Sequence, residues 1–363
     1  MKLTLIVGAR PNFVKIASLM AEFRNYPEIQ ARLVHTGQHY DEAMSGSFFS
    51  HLDLPTPDVN LGVKAGSHTA QTAEIMLRLE PVLASEPPDL VVVVGDVNST
   101  LAGTLVAVKM GIPVAHVEAG LRSFDRTMPE EINRVLTDAV SDLLFTTEPS
   151  ANDNLLREGI SEDRIHHVGN VMIDTLFRFR ERAGDSGILE ELGLTPKEFA
   201  VLTLHRPSNV DDPSALERVL FAIAEIREHI PVIFPVHPRT RQRLAQCSAT
   251  PEAHHGLKLC EPIPYLDFVQ LIANARCVLT DSGGIQEETT ALGVPCLTLR
   301  TTTERPITVT QGTNRIVGVD PPKIRESWRE ILSDRWPVGQ LPELWDGKAA
   351  ARIVKTILNH QTT

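Results

Sequence analysis

The sequence lacks the features that mark membrane, secreted and disulfide-bonded proteins. No apolar run reaches the roughly 18 residues that a membrane-spanning helix needs, and residues 1–10 form too short a segment for a signal peptide. We expect those residues to be the first strand of a sheet. The four cysteines show no C-x-x-C spacing. Free thiols, a cytoplasmic location and no membrane partner are therefore expected.

Positive charge and the common cofactor motifs are also scarce. The formal net charge is −11, which argues against nucleic-acid or anionic-membrane partners, so an anionic substrate would need a local basic pocket. Adjacent histidines occur at 166–167 and 254–255, but neighbouring side chains point apart, and no H-E-x-x-H motif is present. Neither G-x-G-x-x-G nor G-x-x-x-x-G-K-[ST] occurs. We expect no metal, no nicotinamide and no other cofactor.

The chain has the alternating pattern of a parallel α/β fold. At 363 residues it is long enough for two domains, and short β-branched runs alternate with helical segments throughout. The predicted strands are 3–7, 32–36, 90–94, 112–117, 142–145 and 165–168 in the first half, and 199–204, 232–236, 257–259, 276–280 and 294–299 in the second. We predict two Rossmann-like, doubly wound domains that face a cleft.

The domain boundary is predicted near a linker-like segment. A helix over about 171–182 leads into Ala183-Gly184-Asp185-Ser186-Gly187, and the hinge is placed there or slightly before it. We assign residues 1–170 to the first domain and residues 171–346 to the second. The last helix, 347–363, is expected to pack back on the first domain.

A glycine-rich turn at residues 280–288 predicts a nucleotide site. It follows an apolar strand and opens a helix, and two adjacent glycines, Gly283 and Gly284, would let a phosphate approach the helix N-terminus. Glu288 lies more than one turn further on, where a carboxylate could bind a ribose diol. The same pattern also fits an ordinary helix that is capped by Ser282.

Ligands of open parallel sheets bind beyond the carboxyl ends of the strands, where this chain repeatedly places polar or permissive residues. Glu118 is the least easily explained by structure, because a carboxylate that ends an apolar run needs a partner. The others have credible structural roles as solvated charges, helix caps, dipole partners or satisfied histidines. The strand-end segments are Gly8-Ala9-Arg10, Gly95-Asp96, Glu118-Ala119-Gly120, His205-Arg206, His237-Pro238 and Asp281-Ser282-Gly283-Gly284, with Lys15 and Glu130 nearby.

With these residues, the chain resembles the non-hydrolysing UDP-N-acetylglucosamine 2-epimerases, which have the two-domain fold of the GT-B glycosyltransferases. The resemblance runs nearly end to end. It rests on Gly8-Ala9-Arg10-Pro11 with Lys15, Thr36-Gly37-Gln38-His39, Gly95-Asp96, His116-Val117-Glu118-Ala119-Gly120-Leu121-Arg122, Pro129-Glu130-Glu131-Ile132-Asn133-Arg134, Gly169-Asn170, His205-Arg206, residues 281–288 and Thr303-Glu304-Arg305-Pro306.

The resemblance implies an isomerase that needs no cofactor. Such an enzyme eliminates UDP to leave a 2-acetamidoglucal and adds UDP back with C2 inverted. Because the C2 proton is very weakly acidic, the departing pyrophosphate must take up the negative charge that develops when this proton is removed. The resemblance also implies a UDP-sugar substrate and a homodimer. By the same resemblance, Asp96, Glu118, Glu130 and His205 match acid, base and sugar-orienting positions, and Arg10, Lys15, Ser282, Gly283, Gly284 and Glu288 match the UDP site.

The sequence also departs from the commoner family pattern at three places. Asn12-Phe13 stands where Glu-Ala is usual, Tyr40-Asp41 follows Gln38-His39 where an arginine usually follows, and Pro207-Ser208 follows His205-Arg206 where Arg-Glu is usual. In bacterial members a second substrate molecule binds near the Gln-His and His-Arg segments. We therefore name Gln38, His39, Arg206 and His237 as second-site or phosphate contacts.

These departures leave room for activities besides epimerisation of UDP-N-acetylglucosamine. A modified sugar, such as a 2,3-diacetamido derivative or its uronic acid, could be the substrate instead. The chain could also be a hydrolysing epimerase, a GT-B glycosyltransferase or a catalytically inactive sugar-nucleotide sensor. The carboxylates in the first half of the chain favour proton chemistry over glycosyl transfer.

Overall fold

The computed structural model describes residues 1–37, 49, 51–64, 66–236, 240, 241, 243, 244 and 256–360, except the side chains of residues 207, 208 and 213. The chain divides into two compact units, one comprising Met1–Arg178 with Glu343–Thr363 and the other Phe179–Pro342. The first boundary lies inside a helix, eight residues beyond the predicted domain limit at 170 and slightly before the linker-like segment at 183–187, and the chain returns to the first unit at Glu343.

The described part of the first unit contains a parallel sheet in the order β3-β2-β1-β4-β5-β6-β7. Its strands are β1 Lys2–Val7, β2 Gln30–His35, β3 Val59–Asn60, β4 Leu90–Val94, β5 Val114–Ala119, β6 Leu143–Thr146 and β7 Ile165–His167. Its helices are α1 Arg10–Phe23, α2 His68–Ser85, α3 Asn98–Lys109, α4 Pro129–Val140, α5 Pro149–Arg157 and α6 Val171–Gly184, the last of which crosses the boundary, with a 3-10 turn at Glu162–Arg164.

The central strands of this sheet are buried on both faces. All five residues of β4 are buried, and its Val91 and Val93 pack with Ile75 and Leu79 of α2 and Ala102 of α3. Parallel strands covered by helices on both sides have this continuous apolar composition.

The described part of the second unit contains a parallel sheet in the order β10-β9-β8-β11-β12-β13. Counted within the unit, this is the strand order 3-2-1-4-5-6 of a Rossmann fold. The strands are β8 Ala200–Thr203, β9 Val232–Pro235, β10 Leu257–Cys260, β11 Cys277–Thr280, β12 Cys296–Thr298 and β13 Asn314–Ile316. The helices are α7 Ile188–Glu191, α8 Pro207–Val210, α9 Pro213–Ala222, α10 Ala224–His229, α11 Tyr265–Asn274, α12 Gly283–Leu292, α13 Pro306–Thr310 and α14 Pro321–Leu332.

The predicted fold class, two parallel α/β domains, is confirmed. Every predicted strand is present, with its ends displaced by at most two residues. Two short strands, β3 and β13, were not predicted. In addition, Cys277 and Cys296 are buried and unbonded, Cys260 is half-buried and unbonded, and Cys247 lies outside the described residues.

The last helix, α15 (Ala349–His360), belongs to the first unit and packs against α1. The Asp174 carboxylate of α6 accepts hydrogen bonds from the N–H groups of Ala349 at 3.1 Å and Ala350 at 2.7 Å, which caps the start of α15. Burial raises the pKa of Asp174 to about 6, although these N–H groups oppose the effect. Among the described residues, no helix has the length and apolar character needed to cross a membrane.

Candidate active site

The turn after β1 is held by Asn12. Its Oδ1 accepts hydrogen bonds from the N–H groups of Gly8 and Ala9, and its Nδ2 donates to the carbonyl of Val94 at 3.1 Å. The side chain thus joins the carboxyl ends of β1 and β4. Arg10, predicted to contact UDP, is the first residue of α1 and is exposed beside this turn.

Lys15 of α1 and Glu118 of β5 form a buried ion pair at the same edge of the sheet. Their side chains are only 7% and 5% exposed. The pair fits because residue 95 is a glycine: a Cβ on Gly95 would lie 2.8 Å from Lys15 Nζ and 3.2 Å from Glu118 Oε2. Buried charges require such partners, so the two residues stabilise each other.

Glu118 has an unusual backbone conformation. Its φ angle is +74°, in the left-handed region, and the register between β5 and β6 shifts between Val117 and Ala119. Glu118 is therefore the extra residue of a bulge. Bulges redirect a side chain, and non-glycine residues in the left-handed region cluster at functional sites.

Asp96 follows Gly95 and is held from two directions by α4. Its carboxylate pairs with the guanidinium of Arg134, and its carbonyl accepts a hydrogen bond from Asn133 Nδ2 at 2.9 Å. The Asp96 side chain remains 25% exposed, whereas that of Arg134 is almost fully buried. The cation thus fixes the carboxylate while leaving it accessible.

Helix α4 turns its polar side inward. Glu131 accepts hydrogen bonds from the N–H groups of Ser123 and Phe124 and pairs with Arg134 at 2.7 Å. Burial would raise the pKa of the Glu131 carboxyl, but these contacts outweigh it and the pKa is lowered. Its neighbour Glu130 lies half-buried in the first turn of the helix.

In the second unit, His205 is oriented by Asp281. The Asp281 carboxylate lies 2.7 Å from His205 Nδ1 and accepts hydrogen bonds from the N–H groups of His205 and Arg206 and from Asn209 Nδ2. Burial would raise the pKa of Asp281, but His205 and the other donors lower it. Because this carboxylate accepts, the proton of a neutral His205 ring lies on Nδ1, and Nε2 is left as the basic nitrogen.

The glycine-rich turn opens α12, as predicted. Ser282 occupies the cap position but makes no side-chain cap hydrogen bond, which removes the simple capping role considered for it. A Cβ on Gly283 would lie 2.5 Å from Oε1 of Glu304. A side chain at 283 would therefore displace the carboxylate of Glu304, which pairs with Arg300 at 2.8 Å.

Glu288 is buried on α12 beside Tyr265 of α11. Burial raises the pKa of the Glu288 carboxyl to about 7, and the Tyr265 hydroxyl lowers it only in part. Burial also raises the pKa of Tyr265 well above its usual value. A carboxyl group of this kind can exchange hydrogen bonds with a diol in either protonation state.

The predicted residues that the structure describes lie in two sets, one in each unit, at strand ends or on the helices that follow them. The sequence predicted no role for the residues that hold them, although all but Asp138 lie in motifs that carry the family resemblance. These residues are His116, Asn133, Arg134, Asp138 and Asp281. The described residues contain no group of His, Cys, Asp and Glu side chains suited to a metal. Gln38, His39 and His237 lie outside the described residues. The first set contains Arg10, Lys15, Asp96, Glu118 and Glu130, and the second contains His205, Arg206, Ser282, Gly283, Gly284 and Glu288.

Comparison with known proteins identifies the family. A family model described as UDP-N-acetylglucosamine 2-epimerase matches residues 21–358. The chain belongs to the UDP-N-acetylglucosamine 2-epimerase family. It is 46% identical over 365 residues to the UDP-N-acetylglucosamine 2-epimerase homolog of Methanococcus maripaludis, covering 99% of this chain and 100% of that protein. The family resemblance seen in the sequence is thus confirmed, and the family is one of isomerases.

The names of two further relatives specify a sugar nucleotide. The crystal structure of Methanocaldococcus jannaschii UDP-GlcNAc 2-epimerase in complex with UDP-GlcNAc and UDP is similar with a TM-score of 0.91 and 42% identity, covering 99% of this chain and 100% of that one. The UDP-2,3-diacetamido-2,3-dideoxy-D-glucuronate 2-epimerase of Pseudomonas aeruginosa is 41% identical over 360 residues, covering 98% of this chain and 99% of that protein.

Proposed function

We propose that this protein interconverts UDP-N-acetylglucosamine and UDP-N-acetylmannosamine without a cofactor. UDP is eliminated to leave 2-acetamidoglucal and is then added back, with the proton returned to the opposite face of C2. Family membership and the similarity to an epimerase bound to UDP-GlcNAc and UDP support this substrate.

The first unit supplies carboxylates for the proton transfers at C2. Asp96, paired with Arg134, and Glu118, paired with Lys15, are placed to exchange protons at C2: a carboxylate takes the C2 proton, and a carboxyl group that has taken up a proton returns one to the opposite face. Glu130, in the first turn of α4, is the third carboxylate of this group. We assign proton removal and proton return at C2 to Asp96 and Glu118, and sugar orientation to Glu130.

The second unit supplies the nucleotide site and a histidine. The first-turn N–H groups of α12, at Gly283 and Gly284, have no partner within the helix and carry its positive dipole end, which suits a diphosphate. Arg10 and Lys15 add positive charge for the departing pyrophosphate. Glu288 binds the ribose, and Nε2 of His205 exchanges a proton with the sugar or the leaving group.

One observation carries the proposal: Glu118 is a buried, ion-paired carboxylate on a bulge in the left-handed region, beside Gly95, the residue before Asp96. A strained backbone around a buried charge destabilises the fold, so stability does not explain this arrangement. The arrangement does place a proton acceptor at the edge of the sheet where ligands bind.

Solvent isotope incorporation tests the reaction. Product formed in heavy water is expected to carry deuterium at C2, and slow release of UDP and the glycal should accompany turnover. Glu118→Gln should suppress the exchange, whereas Glu80→Gln, which alters an exposed carboxylate on α2, should not. Inversion at C2 without solvent deuterium would refute the elimination route.

A second candidate substrate is a UDP-2,3-diacetamido uronic acid. The 41% identity to the Pseudomonas aeruginosa enzyme that is named for such a sugar favours it. Product analysis with both UDP-sugars decides between the substrates by the ratio of kcat/KM. The same analysis detects free N-acetylmannosamine, the product expected of a hydrolysing epimerase.

The proposal includes a cytoplasmic homodimer. The outward side of α4 exposes four apolar residues at helical spacing, and a second copy of the chain would cover them by a self-complementary contact. Light scattering should give the mass of a dimer for the wild type and the mass of a monomer for Leu136→Lys. A monomer mass for both proteins would exclude the dimer. The apolar residues on α4 are Ile132, Val135, Leu136 and Val140, each between 37% and 45% exposed.

The unbonded buried thiols Cys277 and Cys296 support the cytoplasmic location.

A further inference from the structure

Behind the carboxylates of the first unit lies a buried charged network that the proposed reaction does not use. His116 of β5 and Asp138 of α4 are fully buried, and the Arg122 side chain is nearly so. His116 Nδ1 lies 2.6 Å from Asp138 Oδ1, and Asp138 Oδ2 lies 2.7 Å from Arg122 Nη1. Arg122 also makes a two-pronged pair with Glu158, at 2.8 Å and 2.6 Å.

The hydrogen-bond partners of His116 indicate which of its ring nitrogens carry a proton. Its Nε2 lies 2.7 Å from the carbonyl oxygen of Gly95, which can only accept, so this nitrogen carries a proton. Its Nδ1 faces Asp138, whose other oxygen already accepts from the N–H of Gly120 at 3.0 Å and faces Arg122. These two donors at its other oxygen hold Asp138 as a carboxylate, so the 2.6 Å contact with its Oδ1 requires a proton on His116 Nδ1.

The charges of this network balance. Burial opposes ionisation of Asp138, but His116 and Arg122 outweigh it and lower its pKa. Burial likewise opposes the charge of Arg122, and the hydrogen bonds to Glu158 and Asp138 outweigh it and raise its pKa. Two cations, His116 and Arg122, therefore meet two anions, Asp138 and Glu158. A buried imidazolium is sustainable only in such a setting.

The network holds both turns that carry the proposed catalytic carboxylates. The Gly95 carbonyl bound by His116 belongs to the peptide unit that continues into Asp96. The Gly120 N–H bound by Asp138 lies two residues after Glu118, where φ is +78° at Gly120 and +74° at Glu118. One imidazolium–carboxylate pair thus fixes the ends of β4 and β5 together.

We propose that His116 is a protonated positioning residue, which with Asp138 sets the orientation of both Asp96 and Glu118. It touches neither substrate nor reacting atoms. The proposal rests on the proposed function in one respect, the assignment of those two carboxylates to proton transfer. A displacement of about 1 Å at reacting groups can lower the rate by up to about 10²-fold, so loss of the imidazolium should lower kcat more than it changes KM.

The protonation state can be measured without substrate. In wild-type protein labelled with ¹⁵N-histidine, both ring nitrogens of His116 are expected to give protonated signals at neutral pH. Asp138→Asn should convert the ring to the neutral form with hydrogen on Nε2, because the amide can face Arg122 with its oxygen and His116 with its NH₂. The His116→Gln spectrum assigns the signal by its absence. A single protonated nitrogen in the wild type at neutral pH would overturn the proposal.

Kinetics test the positioning role. Asp138→Asn and His116→Gln are each expected to lower kcat about tenfold to a hundredfold with KM little changed, while retaining the circular dichroism of the wild type. The matched control is Asp142→Ala, because Asp142 accepts a hydrogen bond from Val114 N–H at the opposite end of the same strand and should leave kcat unchanged. Near-native kcat in a folded Asp138→Asn variant with a neutral His116 would overturn the proposal. An inactive wild type would instead refute the proposed function, and the nitrogen signals would be unaffected.

Discussion

Breaking the Lys15–Glu118 pair from either side is expected to destabilise the first unit, because each change removes the partner of a buried charge. Lys15→Met keeps most of the volume of the lysine, and Glu118→Gln keeps the shape of the glutamate. In the double variant neither charge remains. The three variants and the wild type therefore form a cycle that isolates the energy of the pair.

The burial of the pair sets the magnitude. With side chains 7% and 5% exposed, removal of one partner should lower the free energy of unfolding by about 3–5 kcal/mol. The double variant should lose clearly less than the sum of the single losses, which gives a coupling energy of about 2–3 kcal/mol. The control pair is Glu74–Arg78 on α2, which is more than 40% exposed on both sides and should couple by only about 0.3–0.5 kcal/mol.

Fluorescence of Trp345 gives an assay confined to the first unit. Of the three tryptophans, Trp328 and Trp336 lie in the second unit and can be replaced by Phe in all variants. Trp345 is buried, and its Nε1 donates to the carbonyl of Thr147 at 2.9 Å, so urea unfolding of the first unit should change its emission. A unit-specific signal is needed because a two-unit chain can unfold in more than one step.

Additive effects would refute this reasoning. If Lys15→Met and Glu118→Gln together cost the sum of their separate losses, the two side chains are not paired in solution. A coupling energy no larger than that of Glu74–Arg78 would lead to the same conclusion.

Three further predictions concern single residues. Asp96→Asn should lower turnover by about 10²–10⁴ while calorimetric UDP affinity stays unchanged; near-native turnover would place proton transfer elsewhere. The pKa of the Asp174 carboxyl is about 6 in the folded protein, above its usual 3.8. Its protonation therefore contributes at most ~3 kcal/mol to the free energy of unfolding in acid, and this contribution is lost as the pH rises through about 6. Asp174→Asn should remove that slope from unfolding curves of Trp345, and an unchanged slope would contradict the assignment. Gly283→Ala should displace Glu304 and weaken UDP binding, whereas Gly184→Ala, with no atom near its Cβ, should not; equal affinities would exclude Gly283 from the site.

The fold could be predicted because its strands are apolar runs separated by helices with clear start and stop residues. The run Leu90–Val94, for example, is buried at every position. The missed strands lack that signal: β3 has two residues, and β13 begins with Asn314 and Arg315, whose strand conformation depends on pairing with β12. Tertiary pairing, which no local pattern encodes, decided these cases.

The site was predictable only in part. The rule that ligands bind beyond the carboxyl ends of parallel strands finds the residues that contact a ligand, but it misses the buried residues that hold them in place. On α4, Glu131, Arg134 and Asp138 follow helical spacing and would ordinarily be assigned to solvent, with Ile132 and Leu136 facing the core. The structure has the opposite arrangement, because the polar residues hold Asp96, His116 and the turn at Ser123. The left-handed bulge at Glu118 was equally invisible, since glutamate has no preference for that conformation.

The return of α15 to the first unit has a consequence for the order in which the protein can fold during synthesis. Ile353, Val354 and Ile357 are buried, and each contributes roughly 1.5–3 kcal/mol when it leaves water. They leave the ribosome after the whole of the second unit, and so do Ala349 and Ala350, which Asp174 caps. Until then the nascent first unit exposes the apolar surface that α15 will cover, while the second unit already has its whole chain. The second unit can therefore complete its folding first, although it begins later in the sequence.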